Sequence, residues 1–357
     1  MKILLLEYIT AGGLNHEPLP EALLQQGILM RDALLRDFSD IEEIKVITTY
    51  DYRLNAPPIA IEAICISQRC DANVVWQNLL QTCDMALIVA PETYGILTQL
   101  THMIEVAGNI NLGSSCHAVQ IASNKYQTFN LLSNANILTI PTYTASEFLG
   151  EDNPAPLFSN GWVAKPIDGA GCENTFYFPQ QNALESWLKQ TTFELKAYII
   201  QPYLLGVPAS ISMLCKNGKA CVLSCNKQMI ETIDNENPIN PALIQYTGCV
   251  VNGLSQYHNH FTELANKIAA AMPGLNGYVG IDVIIEERNE EARLWVVEIN
   301  PRITTSYTAL RDLSDCNPAQ LILDLAHKNL PSPSLIGPFN FQQNRTNNMG
   351  EIIVHGK

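Results

Sequence analysis

Short apolar runs alternate with amphipathic stretches over the first third of the chain. Residues 2–9 (KILLLEYI), 43–50 (EIKVITTY) and 85–92 (MALIVAPE) carry the runs of buried strands, and 21–38 (EALLQQGILMRDALLRDF) and 73–83 (NVVWQNLLQTC) the spacing of helices. That alternation predicts a parallel, doubly wound sheet over residues 1–115. A smaller unit is expected over 116–202, with helices at 124–135 and 183–190 and extended segments at 137–145, 161–166 and 196–203. Residues 203–330 read as a larger unit with two long hairpins. The first, 209–225, turns at Asn217-Gly218, a type I′ signal; the second, 278–302, follows a helix at 261–272. A helix at 318–329 closes this unit. The Pro/Ser/Asn-rich tail 331–357 reads as a surface extension in which EIIVHG offers an edge strand.

The second hairpin, YVGIDVIIEERNEEARLWVVEINPR, drives polar groups into apolar strands. Pairing Asp282 with Glu298 centres its turn near Glu290, among the charged residues. Glu298 and Asn300, two apart on one strand, then share a face at roughly 6–7 Å, and Asp282 joins them from the neighbouring strand. Buried carboxylates are costly unless they are paired or bind a metal. Two carboxylates and an amide oxygen are the hard-oxygen set that Mg²⁺ takes when phosphates also hold it. A half-exposed polar sheet face is the plainer alternative for any one of these residues.

Upstream, Lys165 ends the strand of WVAKPIDGAGCENT, and Gly169, Ala170 and Gly171 follow in a loop whose backbone N–H groups can turn toward an anion. A DGAG stretch alone is also a common turn, and no GxxxxGK[ST] loop is present. Lys125 opens a helix, where its charge opposes the helix dipole. A phosphate at that N-terminus would reconcile the two, as would plain solvation of the lysine. The extended segment IIQPYLLG, stiffened by Pro202 and Pro208, offers backbone donors and acceptors to a flat heterocycle. Gly12 and Gly13 follow the first strand without the third glycine of a GxGxxG fingerprint, so a tight turn lining a cleft is favoured over a dinucleotide site.

Composition narrows the partners. Lys and Arg number 21 against 35 Asp and Glu, a formal charge of −14. That argues against nucleic-acid and anionic-membrane partners, which need a basic face. Ten cysteines diluted over 357 residues, with no CxxC pair, read as reduced thiols in a cytoplasm. Cys215, Cys221 and Cys225 look like core thiols, whereas Cys172 neighbours the glycine loop. The opening MKILLLEYIT is interrupted by Glu7 too early for a signal peptide, and no window is apolar enough to span a membrane. His258 and His260 lack a third metal ligand and read as a surface loop. Ser114, Ser115 and His117 form no credible catalytic dyad and are expected at most to line the cleft.

Taken in order, a helix-opening lysine, a lysine before a glycine loop, a hinge strand, and an Asp…Glu-x-Asn hairpin followed by Pro-Arg resemble the ATP-grasp superfamily over residues 116–310. The resemblance implies an α/β and α+β chain: an ATP-grasp fold behind a doubly wound pre-ATP-grasp domain. It implies ATP and Mg²⁺, with Mn²⁺ as a substitute. Lys125 and Lys165 would meet the phosphates, with Gly169, Ala170 and Gly171 covering them. Gln201, Tyr203 and Leu204 would flank adenine, and Asp282, Glu298 and Asn300 would hold the metal. Arg302 would stabilise transferring phosphate or a substrate carboxylate. Pro202 and Pro208 depart from the family at positions where many members carry adenine- and ribose-binding glutamates.

Within the superfamily, LLEYITAGGL, VAPETYGIL, NLGSSCHAVQIASNKYQT and EINPRITTSY are similar to the tyramine–L-glutamate ligase family of methanofuran biosynthesis. That likeness implies small-molecule carboxylate and amine substrates, an ADP-forming amide ligation through an acyl phosphate, and compatibility with a homodimer. Glu7 and Tyr8, with Gly12 and Gly13 nearby, are candidates for the acceptor's ammonium and ring. Thr304, Thr305, Ser306 and Tyr307 offer hydroxyls to the rest of the substrate. A non-catalytic ATP sensor and a nicotinamide-dependent dehydrogenase are the competing readings. The sensor would lack a metal ligand or a phosphate lysine; the dehydrogenase would be protected by NAD where ATP gives no protection.

Overall fold

The computed structural model describes residues 1–59, 62–150, 160–169, 171–190, 197–233, 241–288, 291–313, 316–327, 330 and 352–355. Lys2–Glu7 (β1) is buried from Ile3 onward, as the central strand of a parallel sheet covered on both faces must be. Lys45–Asp51 (β2) and Glu62–Ile66 (β3) lie on one side of it, and Met85–Val89 (β4) and Ile110–Asn111 (β5) on the other. All are parallel, in the order β3-β2-β1-β4-β5.

The helix Glu21–Ser39 (α1) packs Leu34, Leu35 and Phe38 in one core with Ile3, Leu5 and Val89. The helices Ala72–Leu80 (α2) and Ile96–Ala107 (α3) bury Trp76, Leu80, Leu97 and Leu100 on the opposite face with Leu4, Leu6 and Ile88. Strand order reverses between β1 and β4, and a crevice opens beyond the carboxyl ends at such a point. Glu7 and Val89 pair there as the last residues of their strands. The chain leaves β4 through Ala90, Pro91 and Glu92.

A ten-stranded second sheet carries the rest. Its strands are Tyr143–Thr144 (β6), Trp162–Pro166 (β7), Phe176–Phe178 (β8), Tyr198–Pro202 (β9), Val207–Lys216 (β10), Lys219–Ile233 (β11), Ala242–Val251 (β12), Gly277–Arg288 (β13), Glu291–Asn300 (β14) and Ile352–His355 (β15). The order is β14-β13-β10-β11-β12-β8-β7-β9-β6, with β15 antiparallel to β12. The edge strand read in EIIVHG is therefore formed. At the β10–β11 turn, Asn217 and Gly218 have φ of 50° and 73°, the paired left-handed conformations of a type I′ turn. In the last hairpin Asp282 pairs with Glu298 as expected, with a bulge just after Asp282. Arg288 pairs with Glu291; the expected turn residue, Glu290, lies outside the described residues.

Strand alternation sorts this sheet into two faces. Ile211, Met213, Val279, Ile281, Val283, Val296 and Ile299 share a core with Phe261, Leu264 and Ile268 of the helix His258–Ala271. Their neighbours Ser210, Asp282 and Asn300 point the other way, toward the crevice. The bulge keeps Glu298 on the same side as Asp282. His258 and His260 thus open a helix and do not lie in a loop. Strands β3, β8 and β12 and helix α3 fall in stretches where no element was read from the sequence.

Candidate active site

One cavity draws its walls from the crevice of the first sheet, the β6–β9 unit and the polar face of the large hairpins. Lys125, Lys165, Gly169, Gln201, Asp282, Glu298, Asn300 and Arg302 all line it. Lys125 is the first residue of the helix Lys125–Asn134, whose preceding Asn124 accepts a hydrogen bond from the Gln127 N–H. The Lys125 side chain is buried, donates to the Gly169 carbonyl at 2.5 Å, and lies 3.4 Å from the Glu298 carboxylate. Lys165 on β7 reaches the same Glu298 oxygen at 3.9 Å. Its charge is disfavoured by burial, which lowers its pKa against the pull of Glu298. The two lysines overcome burial at Glu298 and hold its pKa below the ordinary value.

Asp282 sits in the opposite balance. Burial and the facing Glu298 push its pKa up. Its oxygens accept from Gln228 Nε2 at 2.9 Å and Asn300 Nδ2 at 3.3 Å. Two half-buried carboxyls crowd one face, and a divalent cation bound there would relieve their repulsion, so the oxygen set fits a hard metal. Gly171 (φ 65°) and Cys172 (φ 61°) carry the loop over this face; Ala170 lies outside the described residues. The Cys172 thiol is pushed up to about 12 by burial and by Glu298 and Asp282, which leaves it unreactive.

Gln201, Tyr203 and Leu204 lie together at the β9 end of the cavity, beside Pro202 and Pro208. The Gln201 amide donates to Thr142 Oγ1 at 2.8 Å, and the Tyr203 N–H is held by the Gly161 carbonyl. The Tyr203 ring rests on Tyr177 with centroids 4.7 Å apart.

On the side of the first sheet, Glu7, Ile9, Leu23, Gln26, Met30 and Pro91 line the cavity. Glu7 is buried and accepts from the Thr10 N–H at 2.8 Å and Thr10 Oγ1 at 2.7 Å. Burial pushes its pKa up despite those hydrogen bonds. It lies so close to α1 that a Cβ on Gly27 would fall 2.6 Å from its Oε2. The other candidates at this strand end are corrected by the structure. Tyr8 points to the far side of the sheet, edge-on to Trp76 at 6.1 Å and over Gly13, while Gly12 (φ 96°) packs on Ile66. Tyr8, Gly12 and Gly13 do not line the cavity: Tyr8 follows the last residue of β1 and turns to the face opposite Glu7, and the two glycines lie in the turn beyond the strand. Ser114 bonds to the Asn276 backbone, Ser115 caps the helix Cys116–Ala122, and His117 is exposed, so these too lie outside the lining.

Thr304, Thr305 and Ser306 line the floor in a hydroxyl network. Tyr278 contacts Ser212 and Thr304 at 2.9 Å each, Thr304 contacts Ser306 at 2.9 Å, and Tyr246 contacts Thr305 at 3.1 Å. Tyr307 is buried in the core and does not reach the cavity. Arg302 Nε and Nη2 donate to the two Glu92 carboxylate oxygens at 2.8 Å each. Sequence reasoning missed Glu92, Gln228 and Tyr246. Glu92 had a legible signal, a carboxylate just beyond a buried strand, whereas Gln228 depends on β11 running longer than its pattern indicated and Tyr246 on β12, which the pattern did not show.

The chain belongs to the ATP-grasp family: the ATP-grasp domain matches residues 122–306, and a pre ATP-grasp 3 domain matches residues 44–119. Two known relatives are the tyramine–L-glutamate ligases of Methanocaldococcus fervens and Methanocaldococcus jannaschii. Each is 28% identical over 312 residues, which is 87% of this chain and 89% and 84% of theirs respectively. Among solved structures, an ATP-grasp superfamily protein of Archaeoglobus fulgidus superposes with a TM-score of 0.65 at 22% identity, covering 90% of this chain and 88% of its own. The α/β and α+β architecture expected from the sequence, an ATP-grasp fold behind a pre-ATP-grasp domain, is the one observed. Among the described residues, no helix is long and apolar enough to cross a membrane.

Proposed function

We propose that this chain is an ADP-forming carboxylate–amine ligase that joins the γ-carboxylate of L-glutamate to tyramine, a step suited to methanofuran-type cofactor assembly. The observation that carries this reading is the single cavity itself. It holds two buried lysines and an Asp282–Glu298–Asn300 face in one part and an apolar wall with one buried carboxylate on the side of the first sheet. The first part suits a nucleoside triphosphate. The second suits an amine with an apolar body: Ile9, Leu23, Met30 and Pro91 for the ring, Glu7 for the ammonium. The relatives' names support the same pair of substrates.

In this reading Lys125 and Lys165 turn from Glu298 to the phosphates, and Gln201, Tyr203 and Leu204 flank the base. Asp282, Glu298 and Asn300 would hold Mg²⁺, which supplies charge neutralisation at the phosphates. A glutamate γ-carboxylate oxygen attacks the terminal phosphorus, and the bond to ADP breaks with its electrons leaving on ADP. The amine nitrogen then attacks the acyl carbon, phosphate departs with the carbon–oxygen pair, and the nitrogen loses a proton. Arg302 is suited to the charge on the transferring group, and the Thr304–Ser306 hydroxyls to the donor's remaining polar groups. Gly169, Gly171 and Cys172, which line the cavity, would help keep water from the acyl phosphate.

Incubation with Mg·ATP, glutamate and a panel of amines, read by mass spectrometry, tests the assignment. The expected product is γ-glutamyltyramine with one ADP and one phosphate per amide. Another amide in its place would overturn the substrates and keep the chemistry; no amide across the panel would overturn the ligase.

A further inference from the structure

The buried pair between Glu92 and Arg302 joins residues 210 apart, from the end of β4 in the first sheet to the end of β14 in the second. Glu92 is 4% exposed, and both its oxygens are spent on Arg302. A guanidinium has five N–H bonds. Two go to Glu92 and one to the Ile303 carbonyl at 3.2 Å, which leaves one on each terminal nitrogen for a ligand in the cavity. The bidentate fork fixes the plane of the guanidinium and so the direction of those two.

The same turn makes a second attachment. Tyr94 and Gly95 adopt left-handed backbone (φ 56° and 70°), and the Tyr94 N–H donates to the Asp168 carboxylate at 2.9 Å. Asp168 precedes the glycine loop. A single turn of the pre-ATP-grasp domain therefore holds both the arginine beside the metal face and the root of the loop above it. Tyr94 itself is 85% exposed, so its unfavourable backbone is not offset by side-chain packing.

We propose that Glu92 is a positioning residue for the reaction: it aims Arg302 at the transferring phosphoryl group, and the Glu92–Tyr94 turn sets the distance between that arginine and the glycine loop. The proposal rests on the ligase reading given above. Misaiming a charge by about 1 Å costs on the order of a hundredfold in rate. Glu92→Gln keeps the shape and one acceptor, and it is expected to lower kcat about tenfold with the KM for ATP little changed. Glu92→Ala is expected to lower kcat about a hundredfold.

The deciding measurement is a double-mutant cycle on kcat for glutamate-dependent ADP formation, using Glu92→Gln, Arg302→Lys and the pair. Circular dichroism would establish that each variant is folded. If Glu92 acts through Arg302, the double variant is no slower than Arg302→Lys alone. Losses that multiply, or a Glu92→Gln enzyme as fast as wild type, would overturn the positioning role. Wild-type protein that forms no ADP with any acid and amine would instead overturn the ligase reading, and the two failures are thus distinct.

Discussion

Glu298→Gln is expected to lower kcat for ADP formation on the order of 10²–10³-fold, the scale seen when a pre-arranged charge-stabilising group is removed from an active site. Glu298 is the point where the site's charges meet. It lies 3.4 Å from Lys125 and 3.9 Å from Lys165, and it faces Asp282 across the hairpin. Glutamine preserves the side chain's shape while removing the charge that would hold a divalent cation. Folding should survive, because the strand pair around the residue is held by Ile281, Val283, Val296 and Ile299, all buried. Steady-state kinetics together with a thermal melt would check both halves. Full ATP-dependent turnover by the variant would remove Glu298 from the metal face.

Asp282→Asn should separate stability from activity, raising the first and abolishing the second. Burial and Glu298 hold the folded-state pKa of Asp282 above its ordinary value. The unfolded chain therefore releases this proton first, and stability is lost as pH rises above the ordinary carboxylate range of about 4. Asparagine has no proton to lose. Without divalent cations the variant should be more stable than wild type at pH 8 by about 1–3 kcal/mol, the scale of a desolvated polar group left poorly satisfied. The gain should shrink toward pH 4 and reverse in saturating Mg²⁺ and ATP, where wild type gains a ligand that the variant holds poorly. Urea denaturation with EDTA and with Mg·ATP measures this directly. A variant less stable than wild type at pH 8 in EDTA would contradict the electrostatic account.

Much of this site could be read from local pattern. The Asp282–Glu298 register followed from centring the hairpin turn on its charged residues, and alternation then put Asn300 beside them. Lys125 and Lys165 stood out because each placed a charge where a helix start or a strand end gave it no obvious partner. What pattern could not supply was the contact between distant segments. Glu92 reaches Arg302 only because β4 lies beside β1 and the second sheet closes over both. Gln228 and Tyr246 reach the cavity because β11 continues to Ile233 and β12 pairs with it, in stretches whose polar residues hide the strand period. Tyr8 shows the converse. It adjoins Glu7 in sequence, yet one residue along a strand carries its ring to the opposite face, onto Trp76.

Transfer of heavy oxygen from the donor carboxylate tests the acyl-phosphate ligase most directly. Glutamate labelled in both γ-carboxylate oxygens would be turned over with Mg·ATP and tyramine, and the products resolved by mass spectrometry. The mechanism predicts one labelled oxygen in each inorganic phosphate, the other in the amide carbonyl, and none in ADP. Unlabelled phosphate accompanying amide formation, or label appearing in AMP, would contradict it.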